Sequence, residues 1–489
     1  MRYKITTLSK KRSLMKHLLF SLLFLLSYAS ATIMQAHVEL EQQVTHQPTE
    51  VVRYLRSQGI QFIDATWTGL DGKLYEITIP VYRLESALQD GMFFDGSSIK
   101  GFSQITQSDL HLTLDKDSLA LSPWKSEGFA CARFFCDTSS ENDPRTTLKN
   151  VIKEAEEHGY TGLCGAEIEF FLFKQENDQY NQINNSSYCA AELNAEMKAF
   201  KEALLYALIH LGVNPEKIHA EVAAGQFEIV IGCCQPLQLA DKIQLTKYAI
   251  TMFAQQHGYK AVFMPKPVYG INGSGMHIHM SVKQGDRNLF FDATKEYYLS
   301  DAARSFISGV LSKAYEIDLL INPEVNSFKR LVAGYEAPVY LCCGEKNRSA
   351  AIRIPDVNHK TVHENQGAAV RIELRWPDAS CNPYLALAAL FKAGFDGIEQ
   401  NLPATPCVNE NLYHVNLAAI TARGIQTLPD SLEAACQAFK NSEFAKELLG
   451  QSLHSTYLAI KETEWQEYFT ENGFENASEI TQWELNRGS

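Results

Sequence analysis

Hydrophobic and polar positions along the chain predict a short, strand-rich region followed by a longer region of mixed helices and strands. In the first region, apolar residues recur at helical spacing over residues 49–58, and short runs of strand composition follow. A turn that contains Gly69 and Gly72 separates two of these runs, which predicts a β-hairpin. The predicted strands cover residues 60–63, 74–79, 110–114 and 130–134. The pattern therefore predicts a small, mostly β domain that ends near residue 142.

Beyond residue 142, helical patterns alternate with short strands that carry polar side chains. The predicted helices cover residues 147–158, 194–211, 239–257 and 383–400. Such a mixture is typical of an α+β domain, in which helices pack against a sheet. We therefore predict two domains, over residues 34–142 and 143–489, preceded by a leader of residues 1–33.

Two glutamates interrupt a strand of otherwise apolar composition at residues 165–173. Because a strand alternates its faces, Glu167 and Glu169 point to the same side. Two like charges on one face of an apolar strand are costly unless a cation or an arginine neutralises them. An exposed edge strand with solvated carboxylates has the same pattern, so this segment alone leaves both interpretations open.

Three other segments repeat this placement of polar side chains on one face. On one predicted strand, His277 and His279 alternate with apolar residues, and in residues 370–376 a glutamate stands between two arginines. Glu221 and Glu228 bracket a turn of small residues that lets two strand ends approach. The simplest structure that satisfies all four segments is a curved sheet whose inner face is a polar cavity.

The side chains of this predicted cavity favour hard divalent cations and an anionic substrate. Carboxylates with one or two histidines suit Mg²⁺ or Mn²⁺, whereas a closed zinc site prefers Cys and His. The excess of acids favours two or three ions, which together neutralise triphosphate oxygens. Basic residues suited to phosphate and carboxylate cluster further along the chain, at Lys329, Arg330, Arg348, Arg353, Arg371 and Arg375. Because no P-loop motif occurs, we expect metal ions and arginines to hold the nucleotide in a phosphoryl transfer.

The overall charge argues against two classes of partner. The chain has 489 residues, with 44 Lys and Arg against 57 Asp and Glu, and a net charge of −13. Nucleic acids and anionic membranes bind to basic faces, so we expect neither partner. The eleven cysteines include two adjacent pairs but no C-x-x-C motif, which indicates buried thiols of a reduced compartment.

The composition of the first 38 residues does not fit a protein of a reduced compartment. Before residue 39 the chain has six Lys or Arg and no acid, and an apolar run over residues 18–28 leads to Ala29-Ser30-Ala31. These are the three parts of a secretory signal, and the apolar run is too short to span a membrane as a helix. The alternative is that translation begins at Met34, and these residues leave both possibilities open.

A series of motifs resembles those of bacterial type I glutamine synthetases. The motifs are residues 92–99 (MFFDGSSI), 167–169 (EIE), 221–228, 263–267 (FMPKP) through 279–281, 322–355, 371–375 (RIELR) and 382–384 (NPY). They follow the order and spacing of that family from about residue 49 to the C-terminus. The resemblance implies an α+β fold with a small β-grasp N-terminal domain and a large catalytic domain with a curved antiparallel sheet and surrounding helices.

The resemblance also implies an assembly and a set of site residues. The assembly is a homododecamer of two hexameric rings, in which Asp95 reaches into the active site of a neighbouring subunit. The implied metal ligands are Glu169, Glu221 and Glu228 for one ion and Glu167, His277 and Glu373 for the other. The implied glutamate-binding set is Asn272, Gly273, Arg330, Glu336, Arg348 and Arg375. The implied ATP-binding set is Glu216, His279, Ser281, Arg348 and Arg353.

The implied reaction joins ammonia to the γ-carboxylate of L-glutamate through γ-glutamyl phosphate, with ATP as co-substrate and Mg²⁺ or Mn²⁺ as cofactor. Asp95 would bind ammonium and accept its proton, and Arg348 would neutralise the transferring phosphoryl group. Glu336 would lie on a flap that closes the glutamate entrance and protects the acyl phosphate from water. ATP and glutamate belong to the cytosol, so we expect a cytoplasmic protein; an active signal at the N-terminus would instead mean export.

Departures from the family pattern leave alternatives open. Tyr413 is followed by His414 and Val415, not by the acidic, Pro-rich segment of adenylylated members, so we do not expect that control. Residues 482–485 resemble relatives that glutamylate polyamines, which keeps a ligase for an amine as an alternative, although Asp95 in its Asp-Gly-Ser-Ser motif favours ammonia. A catalytically silent family member with a structural or regulatory role is a third possibility.

Overall fold

The computed structural model describes residues 48–487 apart from residues 127, 177, 178, 184–186, 333, 336 and 474–478. The leader predicted for residues 1–33 therefore lies outside the described residues. In the described part, the strands are β1 Ile60–Thr68, β2 Leu74–Pro80, β3 Met92–Asp95, β4 Asp109–Leu114, β5 Ala120–Ser126, β6 Phe129–Thr138, β7 Tyr160–Glu176, β8 Gln179–Gln182, β9 Pro215–Ala220, β10 Gln226–Cys234, β11 Tyr259–Val262, β12 Met276–Gln284, β13 Arg287–Asn288, β14 Tyr340–Glu345, β15 Ala350–Ile354 and β16 Ile372–Leu374. The α-helices are α1 Pro48–Ser57, α2 Leu84–Asp90, α3 Pro144–Glu157, α4 Ala195–His210, α5 Pro236–Gln256, α6 Asp301–Ile321, α7 Val325–Arg330, α8 Pro383–Glu399, α9 Leu417–Ala422, α10 Leu432–Asn441, α11 Glu443–Asn472 and α12 Gln482–Arg487.

The N-terminal strands form one sheet in the order β2-β1-β6-β4-β3, with β5 added beside β6. Its central pair, β1 and β6, is parallel, and the other pairs are antiparallel. The predicted hairpin of β1 and β2 is confirmed, and its turn closes with a hydrogen bond from Gly69 N to the Lys73 carbonyl (3.0 Å). A parallel central pair between two antiparallel pairs is the arrangement expected of a β-grasp domain.

The first strand is longer than its apolar run predicts. Polar residues continue β1 to residue 68 because they find partners inside the sheet. The hydroxyl of Thr66 donates to the carbonyl of Phe134 (2.9 Å), and the carboxylate of Asp64 accepts from buried Arg133 (3.3 Å). Buried polar groups with such partners cost little, so strand pairing overrides the local polarity.

The remaining strands form a ten-stranded sheet in the order β14-β15-β16-β12-β7-β10-β9, with β8 and β11 beside β7 and β13 beside β12. Its pairs are antiparallel except β14 and β15, which are parallel, so the expected antiparallel sheet is in detail a mixed one. The long central strand β7 pairs with both β10 and β12, and this places the strands of the predicted polar segments side by side.

The large helices begin where the sequence offers caps. Asn382 accepts from the backbone N–H of Tyr384 (3.0 Å) at the start of α8, and Pro383 occupies the first turn, where no N–H is needed. Helices α6 and α8 pack closely because glycines face each other, and a Cβ placed on Gly309 would lie 2.8 Å from the Cα of Gly397. No helix in the described ranges is long and apolar enough to span a membrane.

A buried arginine joins the N-terminal sheet to helix α5 of the second domain. The guanidinium of Arg145, near the start of α3, donates to Asp115 (2.7 Å) and Asp137 (2.6 Å) of the N-terminal part. It also forms a two-pronged pair with Asp241 of α5 (3.0 and 3.2 Å). Because Arg145 is only 3% exposed and satisfied on three sides, the two parts of the chain are held at a defined orientation.

Candidate functional site

Six strands present their polar side chains on one face of the ten-stranded sheet. Directly paired residues on neighbouring strands share a face, so the register identifies this surface. The pairs are Glu228 with His219, Glu169 with Glu228, Glu167 with His277, His279 with Glu373, and Glu373 with Arg353. The prediction that the separate polar segments meet on one surface is therefore confirmed, and we call this surface the polar face.

At the centre of the polar face, Glu167 is held by two histidines. One oxygen lies 3.1 Å from Nδ1 of His277, and the other lies 2.9 Å from Nε2 of His279. The Nε of Arg371 donates to Nδ1 of His279 (3.1 Å), so the neutral His279 ring carries its proton on Nε2 and donates to Glu167. Burial favours the neutral acid, but the hydrogen bonds from both histidines outweigh it and hold the pKa of Glu167 well below its usual range.

On one side of Glu167, Glu373 is neutralised by arginines. One oxygen accepts from Arg375 and the other from Arg353, and the Glu373 side chain is only 1% exposed. Burial raises the pKa of Glu373, but the charge of Arg375, assisted by the two neighbouring imidazoles, lowers it to about 2. The Nε atoms of both arginines are buried and have no hydrogen-bond partner among the described residues. Unpaired guanidinium N–H groups beside such a pair are suited to anionic oxygens.

On the other side, Glu169 is fixed by neutral donors. Its Oε2 accepts from the backbone N–H of Gly275 (2.8 Å) and from Nε2 of Gln226 (3.1 Å). The same Gln226 amide lies 2.9 Å from the carbonyl of Gly273, so one side chain connects β10, β7 and the loop before β12. Nε2 of His277 lies 3.7 Å from Oε1 of Glu169, which leaves that oxygen facing the cluster.

Beyond Glu169, the carboxylates crowd together with little compensation. Glu228 is buried, and its Oε1 lies 3.0 Å from Nε2 of His219 and 3.7 Å from Nζ of Lys217. Glu221 lies 3.6 Å from the other nitrogen of His219. Contact with Glu228 raises the pKa of His219. Burial, followed by the charges of Glu169 and Glu228, raises the pKa of Glu221 to about 7.

This end of the polar face fits divalent cations. Two sets of side chains bring one nitrogen or oxygen ligand each to within 4.8 Å of one another, namely Glu167, Glu228 and His277, and His219, Glu221 and Glu228. Oxygen ligands with one imidazole suit Mg²⁺ or Mn²⁺. Burial and the charges of Glu169 and Glu228 both disfavour the ionised Glu221 carboxylate, and a bound cation would offset them. These sets divide the predicted ligands differently from the family pattern, since Glu169 is held by Gly275 and Gln226 and the two oxygens of Glu373 face arginines.

Arg330, predicted to bind glutamate, is buried and bonded to backbone carbonyls. It is 2% exposed, and its two terminal nitrogens donate to the carbonyls of Arg375 (3.0 Å) and Trp376 (2.7 Å). A Cβ added to Gly275 would lie 2.4 Å from the guanidinium, so only glycine fits there. In the structure, Arg330 therefore supports the strand end that carries Arg375, and its contact with glutamate stays a prediction.

Asp95, at the end of β3, belongs to the other sheet and is exposed. Its carboxylate accepts from the backbone and hydroxyl of Ser97 (2.9 and 2.6 Å) and from the hydroxyl of Ser98 (2.8 Å). These bonds lower the pKa of Asp95, so the group is anionic at neutral pH. A preorganised and exposed carboxylate of this kind can bind a cation presented by another surface.

The other predicted site residues differ in location and exposure. Ser281 follows His277 and His279 on the same face of β12 and is buried. Arg348 lies in the loop between β14 and β15 and is exposed, as is Glu216 on β9. Asn272 and Gly273 lie in the loop before β12, next to the Gln226 amide, and Glu336 lies outside the described residues.

The predicted site residues leave out two contributors, and the role of a third was not foreseen. His219 contacts the carboxylates of Glu228 and Glu221, and Gln226 fixes Glu169. Arg371, expected among the phosphate-binding residues, sets the tautomer of His279. The alternation of Lys217, His219 and Glu221 is a signal that could have identified the first. No local pattern indicates the role of Gln226, because that role depends on contacts between segments distant in the sequence.

Comparison with known proteins agrees with this geometry. Residues 59–140 match the family model described as glutamine synthetase, beta-Grasp domain, and residues 141–487 match glutamine synthetase, catalytic domain. The chain is 38% identical over 447 residues to a glutamine synthetase of Methanosarcina mazei, covering 90% of this chain and 96% of the relative. It is 39% identical to one of Clostridium saccharobutylicum (89% and 97%) and 37% identical to one of Thermotoga maritima (89% and 98%).

Solved structures give the same result for the fold. A GmaS/ADP complex superposes with a TM-score of 0.77 at 27% identity, and GmaS without ligand superposes with 0.75 at 28% identity. Each comparison covers 89% of this chain and 98% of the solved chain. The expected α+β fold with a β-grasp N-terminal domain is thereby confirmed. With both family models matched and named relatives similar over most of the chain, the protein belongs to the glutamine synthetase family of ligases.

Proposed function

We propose that the protein catalyses the ATP-dependent ligation of ammonia to the γ-carboxylate of L-glutamate, giving glutamine, ADP and phosphate. The observation that carries this proposal is the polar face, where carboxylates suited to divalent cations adjoin arginines with unpaired N–H groups. One solved relative is titled as an ADP complex, which agrees with a nucleotide substrate. Members of the glutamine synthetase family generally require divalent metal ions and ATP, as this proposal does.

The side chains grouped in the structure would hold Mg²⁺ or Mn²⁺ through Glu167, Glu221, Glu228 and His277. The family pattern adds Glu169 and Glu373 as ligands and implies two or three ions. Such ions, when bound, supply charge neutralisation for the phosphate oxygens of ATP. The chain's own contribution is to orient the ligands. The histidines do this for Glu167, and Gln226 and the Gly275 amide do it for Glu169.

In the first step, the γ-carboxylate of glutamate attacks the γ-phosphoryl group of ATP. The bond between that group and the rest of the nucleotide breaks, and ADP is released. Arg353 and Arg375 are suited to stabilise the charge on the transferring group, because each has an unpaired Nε beside its ion pair with Glu373. Ammonia then attacks the acyl phosphate and displaces phosphate. The proposed roles of Arg348 at the phosphoryl group, and of Glu336 on a flap that excludes water, follow the family pattern.

Asp95 is the proposed site for ammonium. Its low pKa keeps it anionic, so it binds the ammonium cation and accepts the proton that must leave before attack. Its exposure agrees with an arrangement in which it completes the site of a neighbouring subunit in a ring-shaped homododecamer. The proposed compartment is the cytoplasm, where both ATP and glutamate are abundant.

A ligase that uses an amine in place of ammonia is the second candidate, because the solved GmaS structures superpose on most of the chain. The network of Asp95, Ser97 and Ser98 favours ammonia, since a compact anionic site suits the small cation. A silent structural member is the third candidate, and the grouping of carboxylates, histidines and arginines on one face argues against it.

The test measures Mg²⁺-dependent ADP release by purified protein expressed from Met34. The rate with glutamate plus ammonium is compared with the rate with glutamate plus putrescine. Turnover with ammonium alone supports glutamine synthesis, turnover mainly with putrescine overturns the choice of ammonia, and no turnover supports the silent member. Replacement of Asp95 by Asn should lower ammonium-dependent turnover by about 100-fold. The matched control is Asp90→Asn, an exposed acid at the end of α2, which should leave turnover unchanged.

A further inference from the structure

Two cysteines far apart in the sequence are direct neighbours at the edge of the ten-stranded sheet. Cys343 of β14 pairs with Cys407 in an isolated parallel β-bridge. The backbone N–H of Val408 donates to the Cys343 carbonyl (2.7 Å), and a Cβ added to Gly344 would lie 2.4 Å from the carbonyl of Val408. The two backbones therefore run in close contact at this point.

The two cysteines of this pair differ in exposure. Cys343 is 1% exposed, whereas Cys407 is only partly buried. The Cys343 thiol donates to the carbonyl of Thr405, two residues before Cys407 (3.6 Å). Cys342 precedes Cys343 on the strand and points to the opposite face, where it packs with Leu412 and Ile420. The contact is thus specific to one member of the adjacent pair.

The two thiols differ in the way that a redox pair requires. The neighbouring thiol of Cys343, opposed by burial and helped by the charge of Arg304, lowers the pKa of Cys407. The neighbouring thiol of Cys407, followed by burial, raises the pKa of Cys343. A partly exposed thiol of lowered pKa beside a buried partner is the arrangement of an attacking and a resolving cysteine.

We propose that Cys343 and Cys407 are a redox-modification site that a hydroperoxide converts into a disulfide. The Cys407 thiolate attacks the peroxide, the O–O bond breaks, and sulfenic acid forms with release of hydroxide or alkoxide. The thiol of Cys343 then attacks the sulfenic sulfur, an S–S bond forms, and water leaves. The pair is oxidised by two electrons and the peroxide is reduced by two.

The backbone geometry permits this bond. Paired residues on adjacent strands have Cα atoms about 5 Å apart, since strands are spaced by 4.7–4.9 Å. Disulfides are found at Cα separations of about 4.4–6.8 Å. The Cα spacing of the paired cysteines therefore falls within the range found for disulfides.

The segment that carries Cys407 also supports the loop of Arg348. Asn347 Nδ2 donates to the carbonyls of Val408 (2.7 Å) and Glu410 (2.9 Å), and Leu412 N donates to Ser349 Oγ (3.0 Å). A disulfide at Cys407 would fix residues 405–413 to β14 and restrict the support of this loop. The inference that the link forms does not depend on the proposed reaction.

The test is treatment of the folded full chain with hydrogen peroxide, followed by alkylation of free thiols and peptide mapping. We expect the loss of two titratable thiols per chain, one peptide pair linked through residues 343 and 407, and recovery of both thiols with dithiothreitol. Amide hydrogen exchange of residues 405–413 should become slower in the oxidised protein.

Matched variants separate this pair from other thiols. Cys342→Ala keeps the pair and should oxidise like the wild type, whereas Cys407→Ser and Cys343→Ser should form no link. Cys407→Ser changes a partly exposed position, so it preserves a folded test protein if the buried Cys343→Ser fails to fold. A link through Cys342, oxidation of Cys407 without a link, or two unreacted thiols would each overturn the proposal. Because the readout is covalent, its failure is distinguishable from a failure of the proposed ligase activity.

Discussion

The two ends of the polar face carry the same kind of side chain in opposite electrostatic states. Around Glu373, arginines from β15 and the end of β16 neutralise the carboxylate and its pKa falls to about 2. Around Glu221, burial and neighbouring carboxylates raise the pKa to about 7. The first end is neutralised by the protein itself, whereas the second is completed only by a cation from solution. The pKa of a carboxylate on this face therefore depends on its neighbours, because arginine lowers that of Glu373, whereas burial and adjacent carboxylates raise that of Glu221.

The largest expected effect comes from removing one of the two arginines that neutralise Glu373. Arg375→Met leaves the buried Glu373 carboxylate with Arg353 as its only guanidinium partner, and breaking a buried pair in this way costs about 3–5 kcal/mol in unfolding free energy. Urea unfolding followed by circular dichroism measures the loss. The double variant with Glu373→Gln should recover part of it, because the buried charge is removed.

An exposed pair provides the control for that experiment. Arg423 and Glu410 form an ion pair at the surface, where each side chain is nearly half exposed. Arg423→Met should therefore change the unfolding free energy by less than about 1 kcal/mol. Equal losses in both variants would contradict the difference between a buried and an exposed arginine.

The next largest effect is expected on Mn²⁺ affinity at the end of the polar face that contains Glu221 and Glu228. Glu228→Gln removes a charged ligand common to both candidate cation sets, so Mn²⁺ affinity should fall by more than about 100-fold. Titration of Mn²⁺ followed by electron paramagnetic resonance measures this without turnover. Glu202→Gln, on the exposed surface of α4, should leave the affinity unchanged. An unaltered affinity in Glu228→Gln would show that the crowded carboxylates do not bind the metal.

A smaller effect is expected at His219, which was absent from the predicted site. His219 lies 3.0 Å from Glu228 and 3.6 Å from Glu221, so it orients both carboxylates. His219→Gln should weaken Mn²⁺ binding by about 10-fold, the low end of the effect of a supporting residue. Isothermal titration calorimetry checks the value. A loss as large as that of Glu228→Gln would instead identify His219 as a ligand.

The smallest effect is a pH dependence. Because the pKa of Glu221 is about 7, a proton competes with the cation below neutral pH, and Mn²⁺ affinity should rise by less than about 10-fold from pH 6 to pH 7 and then level off. In the metal-free protein the folded pKa exceeds the ordinary value of 4.5, so this group lowers stability progressively as the pH rises from 4.5 to about 7. Both slopes should become smaller in Glu221→Gln, and the stability slope should persist in part, because burial also raises the pKa of Asp143 to about 6 and of Glu324 to about 7. Slopes that are unchanged in the variant would assign them to other groups.

Much of the secondary structure follows from local pattern. The predicted helices over residues 147–158 and 383–400 are present as α3 and α8, and each begins at a capping residue followed by proline. The chain between β1 and β2 turns where glycines allow it. These features depend on residues close in sequence, and local chemistry is sufficient to specify them.

By itself, the sequence determined which side chains share a face. A strand has a period of two residues, so Glu167 and Glu169, like His277 and His279, point the same way wherever the strand lies. Only the tertiary structure decided which strands are neighbours and in what register. Pairing of β7 with β12 places His277 next to Glu167, and pairing of β16 with β15 places Glu373 next to Arg353. These contacts join residues up to 110 positions apart, and their register is set by packing of the whole sheet, which no local pattern encodes.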